Sequence, residues 1–222
     1  AEAQNSRNNA EKLVSFLIED FYAELAPTGR LETLGKLAQK TVGYYDSLPP
    51  QQVTAQTQIN RAMALVREGA ALNAVGKIDE GSKNLTDAQA VFEKLHAGGD
   101  HSEAVVYGLA LALHEQGKTV IRGGRGSAAQ LQQAADLLKP LVYGPSPSQR
   151  VRQLYGDDLN YLSHTQSTAQ GVETCEEARK VLAGIGALDL SDLNATSSYA
   201  DTADSEARNL VALGKLDAAQ KL

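Results

Sequence analysis

Apolar residues recur at helical spacing along most of the chain, and short breaks that contain glycine or proline separate the periodic segments. The clearest segment, residues 61–95, predicts two amphipathic helices joined by a turn at Gly76. Gly69 and Gly81 are small enough to let the two helix backbones approach closely, and leucines on the same faces fill the space around that contact. The pattern therefore predicts a helical hairpin.

The rest of the chain divides into further helix pairs, so the predicted fold is all-α. Gly123–Gly126 enlarges the turn of one pair, and Pro140 is expected to limit its second helix, Ala128–Leu138. The apolar residues of Leu188–Leu193 predict a staple that packs along a connection. The predicted units are an N-terminal hairpin over residues 1–50, pairs over 51–97, 100–142 and 147–186, and a partial pair over 190–222.

Two stretches, VREGAALNAVGKIDEG at 66–81 and LVALGKLDAAQ at 210–220, resemble the tetratricopeptide-repeat (TPR) family in their small, large and turn-glycine positions. The small residues Gly81, Ala128, Gly171 and Ala219 stand 47, 43 and 48 positions apart. These intervals exceed the ~34 residues of a regular TPR and lie nearer to the ~40 to 47 of HEAT and armadillo arrays. The Gly-Lys-Ile-Asp and Gly-Lys-Leu-Asp turns favour the TPR family. The resemblance implies an α-α solenoid, a superhelical array of antiparallel helix pairs with lengthened helices.

Residues 10–50 look like the segment that precedes a repeat array in large bacterial signalling proteins, where it follows a membrane-proximal helix. Such proteins carry an effector at the other end, for example a kinase or a nucleotide cyclase. This second resemblance implies a sensory or scaffolding part of a larger, membrane-anchored protein. The sequence of this chain contains none of the effector motifs.

Charge and composition narrow the classes of function. The chain has 21 Lys and Arg against 27 Asp and Glu, with the charges interspersed, which argues against nucleic-acid binding because that needs a clustered basic stripe. No run reaches the ~20 apolar residues that span a bilayer, and the polar N-terminus does not resemble a signal peptide, so we expect a soluble chain. The single cysteine, Cys175, is predicted to be a small core residue.

The candidates for chemistry are few. The segment RGGRGS at 122–127 has helix N–H groups and two arginines that suit an anion, but it lacks the ending of a P-loop and reads better as an inter-helix loop. The four histidines, at 96, 101, 114 and 164, show no zinc-ligand spacing. No nucleophile motif occurs either. We therefore expect neither catalysis nor a metal or cofactor.

In such hairpins the first helix of each pair lines the concave side of the superhelix, so its outward face is the predicted contact surface for a protein or peptide. A small-molecule sensor with a pocket at Tyr107, His114 and His164 is one alternative, and a spacer or dimerisation arm is another. The partner and the oligomeric state are left open. The predicted contact residues are Met63, Val66, Asn73, Tyr107, Leu111, His114, Glu115, Gln153, Asn160, His164, Asp201, Asp204 and Arg208.

Overall fold

The computed structural model describes residues 30–122 and 128–222, together with residues 11, 13, 14, 16 and 17. The described residues form helices and connections without a β-strand, so the prediction of an all-α fold is confirmed. The first helix of the N-terminal hairpin and the turn at Gly123–Gly126 lie largely or wholly outside the described residues, as does most of the RGGRGS segment.

The helices follow one another with short connections. They are α1 Leu31–Asp46, α2 Ala55–Ala74, α3 Ile78–Ala97, α4 Glu103–Arg122, α5 Ala129–Val142, α6 Gln149–Ser163, α7 Thr168–Ala183, α8 Leu193–Ala212 and the short α9 Leu216–Ala219. The contacts divide the chain into two compact units, residues 1–115 and 116–222, with the division inside α4.

In the first unit, α2 packs against both α1 and α3. The pair predicted over residues 51–97 begins with a 3-10 turn, Pro50–Gln52, and α2 starts only after Thr54. The reason is a capping box. The Thr54 side chain accepts the backbone N–H of Thr57, and the Thr57 hydroxyl accepts the N–H of Thr54 at 2.8 Å. Leu34, Leu65 and Leu85 fill the interior between the three helices.

Two glycines set the distance between α2 and α3. A methyl group added at Gly69 would lie 2.9 Å from the carbonyl oxygen of Gly81, and one added at Gly81 would lie 2.7 Å from the carbonyl oxygen of Gly69. The turn between the helices is made by Gly76, whose φ of +84° is the left-handed conformation that glycine adopts without strain. The hairpin that the sequence predicts is therefore present, with the small residues at the contact.

In the second unit, α7 packs against α6 and α8, and α8 also contacts α6. Its interior holds Tyr155 and Leu182 together with Cys175, which is fully buried as predicted. Burial raises the pKa of the Cys175 thiol, which fits a packing role and disfavours the reactive thiolate. A smaller group, Ile185 and Ala195 among them, extends this interior under the connection between α7 and α8.

Two local predictions are wrong. Pro140 lies inside α5, which runs on to Val142, because a proline in the last turn costs the helix only one hydrogen bond and the chain continues the helical path. The staple predicted at Leu188–Leu193 does not pack inward. Leu188, Leu190 and Leu193 are 65%, 63% and 73% exposed, because Ile185 and Ala187 already fill the space beneath the connection.

Candidate functional site

A row of polar side chains follows the line where α6 and α8 meet in the second unit. The Gln153 side-chain nitrogen donates to the Ser198 hydroxyl at 2.8 Å and to Asp157 Oδ1 at 3.1 Å. A second contact lies eleven residues after Gln153 and seven residues after Ser198, where His164 Nε2 is 3.3 Å from the Ser205 hydroxyl. Because both contacts advance in the same order along the chain, the two helices run in the same direction.

We call this row the polar seam and define it by side chains that recur on one face of each helix. Four positions at spacings of four, three and four residues come from α6 and the residue that caps its end, and three at spacings of three and four come from α8. The seam consists of Gln153, Asp157 and Asn160 on α6, His164 at its C-cap, and Ser198, Asp201 and Ser205 on α8.

Two amide oxygens of the seam lack hydrogen-bond donors among the described residues. Gln153 Oε1 and Asn160 Oδ1 are shielded from solvent and accept no hydrogen bond in the described part of the chain. Leaving a buried acceptor unpaired costs about 1–3 kcal/mol. Both oxygens thus oppose folding at positions where an apolar side chain would avoid the cost.

The seam contains four of the predicted contact residues: Gln153 and Asn160 are half-buried, and His164 and Asp201 are exposed. Asp204 and Arg208, also predicted, form an exposed ion pair with each other on α8. The structure therefore brings together predicted positions from α6 and α8, which are the first helices of two successive predicted pairs.

The positions predicted in the first unit are placed differently, and the prediction is corrected for most of them. They fill the interior, where a partner cannot touch them without displacing core side chains. The buried ones are Met63, Val66, Tyr107, Leu111, His114 and Glu115, whereas Asn73 is half-buried beside Gly81. The missed signal is visible in α4, because the run from Val105 to Leu113 is apolar or small on all sides, which is typical of a helix enclosed by others.

Placement of the histidines also bears on the alternative of a sensory pocket. Tyr107 and His114 are buried in the first unit, whereas His164 is exposed on the second unit's seam. His96, in the last turn of α3, lies beside His101 in the loop before α4.

Sequence reasoning also missed a buried ion pair between α7 and α8. Arg179 Nε donates to Glu206 Oε2 at 2.6 Å, and Arg179 Nη1 donates to the Tyr199 hydroxyl at 3.0 Å. The side chain of Glu206 is only 3% exposed. A signal was available, since Glu206 lies four residues before the buried Leu210 on the same face of α8.

A second cluster surrounds Glu177 on α7. Its Oε1 accepts hydrogen bonds from the hydroxyls of Tyr155 at 2.6 Å and Tyr143 at 2.9 Å, and Lys139 lies 3.7 Å away. Burial by itself would raise the pKa of Glu177, but the hydrogen bonds and the lysine outweigh it, so the pKa is lowered. The same contact and burial raise the pKa of Tyr143 to about 12. This cluster ties the end of α5 to α6 and α7.

Within the described residues, no helix has the length and apolarity that crossing a membrane requires. The same residues hold no group of three or more side chains of the metal-binding types. Comparison with protein-family models, with curated proteins and with solved structures gave no match.

Proposed function

We propose that this chain is a non-catalytic helical-repeat module that binds an extended, basic peptide segment of a partner protein along the polar seam. The observation that carries the proposal is the pair of unsatisfied amide oxygens, Gln153 Oε1 and Asn160 Oδ1, on one face of α6. Unsatisfied buried oxygens reduce folding stability, so the occurrence of two on one helix face supports a role in binding a ligand.

The spacing of the two amides suits a peptide backbone. Gln153 and Asn160 are seven residues apart, which corresponds to about 10 Å along an α-helix. A polyproline II peptide repeats every three residues, about 9 Å, so two of its N–H groups reach the two amides. The terminal torsions of Gln and Asn are soft, and a modest rotation turns each oxygen toward a ligand.

Charge supports a basic partner. The seam carries the carboxylates of Asp157 and Asp201, and Arg208 is already engaged by Asp204. The whole chain has a net charge of -6, which favours encounter with a cationic segment.

We further propose that the helix pairs stack as a TPR-like solenoid and that the seam lines its concave side. Contact of α8 with both helices of the preceding pair supports stacking, as does the common direction of α6 and α8. At Gly171 an added methyl group would lie 3.0 Å from Ser163 O of α6 and also close to Asn209 of α8. The small size of Gly171 thus lets α7 contact both α6 and α8. Stacked helix pairs require such contacts between neighbouring repeats.

The resemblance of residues 10–50 to the segment before bacterial repeat arrays supports a place for this chain within a larger signalling protein. In that setting the seam would receive a segment of a partner, or of another part of the same protein, and the chain would act as a scaffold.

The test is selection of peptides from a displayed library of random heptamers, followed by fluorescence anisotropy with the selected peptides. The double variant Gln153→Ala/Asn160→Ala is expected to bind at least tenfold more weakly than the unsubstituted chain, a loss of about 1.4 kcal/mol. Gln133→Ala, an exposed glutamine on α5, is the control and is expected to bind normally. Failure to enrich any basic peptide, or equal binding by the double variant, contradicts the proposal.

A further inference from the structure

Two imidazole rings meet in the loop that joins α3 to α4. His96 Nδ1 and His101 Nδ1 are 3.1 Å apart, and the ring centroids are 4.4 Å apart with the planes at 77°. The chain reverses through Gly98 and Gly99, the latter at a φ of +94°, which brings the end of one helix beside the start of the next. Two nitrogens at this distance share one proton, because a donor must face an acceptor.

A metal ion can bind both nitrogens from a position beside the line that joins them. Two imidazole nitrogens bound to a tetrahedral ion at about 2.0–2.1 Å lie about 3.3 Å apart. The observed separation of 3.1 Å is close to this value. Both side chains reach solvent, so an ion can enter and water can fill the other coordination positions.

The surroundings favour a cation. Asp100 directly precedes His101 in the chain, and its Oδ1 accepts the backbone N–H of Ser102 at 3.0 Å, so a carboxylate lies in the same loop. His96 is in the last turn of α3, where the helix dipole presents partial negative charge. The other charged residues nearby in sequence are Glu93 and Lys94 at the end of α3 and Glu103 in the first turn of α4.

We propose that His96 and His101 form a two-imidazole site for a borderline transition-metal ion of the Zn²⁺ class, which ties the C-terminus of α3 to the N-terminus of α4. Imidazole nitrogen suits Zn²⁺, Ni²⁺ and Cu²⁺, whereas Mg²⁺ and Ca²⁺ prefer oxygen ligands. The site is independent of the seam, since it lies in the first unit.

The first test is calorimetric titration of the untagged 222-residue chain with ZnCl₂ at pH 7.5. His96→Ala, His101→Ala and the double variant His96→Ala/His101→Ala are each expected to weaken the principal site at least tenfold, and Gln133→Ala, a control at an exposed glutamine of the other unit, is expected to leave it unchanged. Circular dichroism verifies that each variant folds. Absence of binding at millimolar Zn²⁺, or equal binding by the double variant His96→Ala/His101→Ala, overturns the proposal.

The second test uses proton competition, because a metal can bind only imidazole nitrogen that has lost its proton. The affinity for Zn²⁺ is therefore expected to fall as the solution is made more acidic. MgCl₂ in place of ZnCl₂ is expected to give no binding at this site. An affinity that does not change with pH, or equal binding of Mg²⁺, would indicate carboxylate ligation and contradict the assignment.

Discussion

The contact between α2 and α3 can be probed with one added methyl group. At Gly69 the new carbon would lie 2.9 Å from the Gly81 carbonyl oxygen and 2.9 Å from Leu85 Cγ. A leucine can change its rotamer, but the carbonyl belongs to the backbone of α3 and moves only with the helix. Gly69→Ala therefore forces the two helices apart by a few tenths of an ångström.

The magnitude follows from two opposing effects. Replacing a glycine inside a helix with alanine gains about 1 kcal/mol of helix propensity. Overpacking a well-packed contact costs about 1–3 kcal/mol. Gly43→Ala in α1 is the matched control, because nothing lies within 4 Å of the added carbon and only the gain remains. We expect Gly69→Ala to be less stable than Gly43→Ala by about 1–3 kcal/mol.

The assay is urea denaturation followed by far-UV circular dichroism, with both variants compared with the unsubstituted chain. Both substitutions lie in the first unit, so they report on the same part of the molecule. A Gly69→Ala variant as stable as Gly43→Ala would refute the close approach of α2 and α3.

Three further predictions use the same measurement. Gly76→Ala is expected to destabilise the chain by about 1 kcal/mol although its surroundings are open, because φ of +84° strains an L-residue. Glu206→Ala is expected to cost about 3 kcal/mol, because it leaves the Arg179 guanidinium without its buried carboxylate. Glu177→Gln is expected to lower stability at pH 7, and its difference from the unsubstituted chain should shrink as the pH falls below 4.5. The reason is that hydrogen bonds, chiefly from Tyr155, outweigh burial and lower the pKa of Glu177, so the carboxylate stabilises the fold above its ordinary pKa and loses that effect on protonation.

The predictions that succeeded rest on local signals. Gly76 and Gly214 were expected to end helices, and both adopt positive φ, because a helix terminus is decided within one turn of chain. The same holds for Gly69 and Gly81, whose small size matters at a contact only a dozen residues apart in sequence. Local periodicity was enough for the helices and for this hairpin.

The predictions that failed depend on what surrounds a helix on all sides. The helical register alone placed Tyr107 and His114 on an exposed face. In the structure, most residues of the part of α4 that belongs to the first unit are buried. The ion pair of Arg179 and Glu206 joins residues 27 positions apart on different helices, and the spacing to Leu210 indicates burial of Glu206 but does not identify its partner. The contact of His96 with His101 depends on how a glycine loop closes, which composition does not reveal.

The turns show two chemical solutions to the same task. At both Gly-Lys-hydrophobic-Asp turns, the lysine N–H bonds back to a leucine carbonyl at 2.9 Å, Lys77 to Leu72 and Lys215 to Leu210. The turn between α6 and α7 has no glycine. There the backbone N–H and the hydroxyl of Thr165 both donate to Leu162 O, at 2.9 Å and 2.8 Å. The geometry of each hairpin therefore depends on local hydrogen bonds in its turn. The side chains on the outward faces of the helices are not needed to form the turn.

Asn160 is a residue whose proposed role in peptide binding can be tested through its effect on folding stability. If its side chain served only the fold, replacing it would be costly, yet its Oδ1 accepts no hydrogen bond within the described residues. Asn160→Ala removes a buried unsatisfied oxygen and improves helix propensity, so we expect the variant to be more stable by up to about 1 kcal/mol. A gain in stability together with weaker peptide binding would be the trade-off expected of a functional residue. A loss of stability would instead place Asn160 in the fold and remove the main support for the seam as a binding surface.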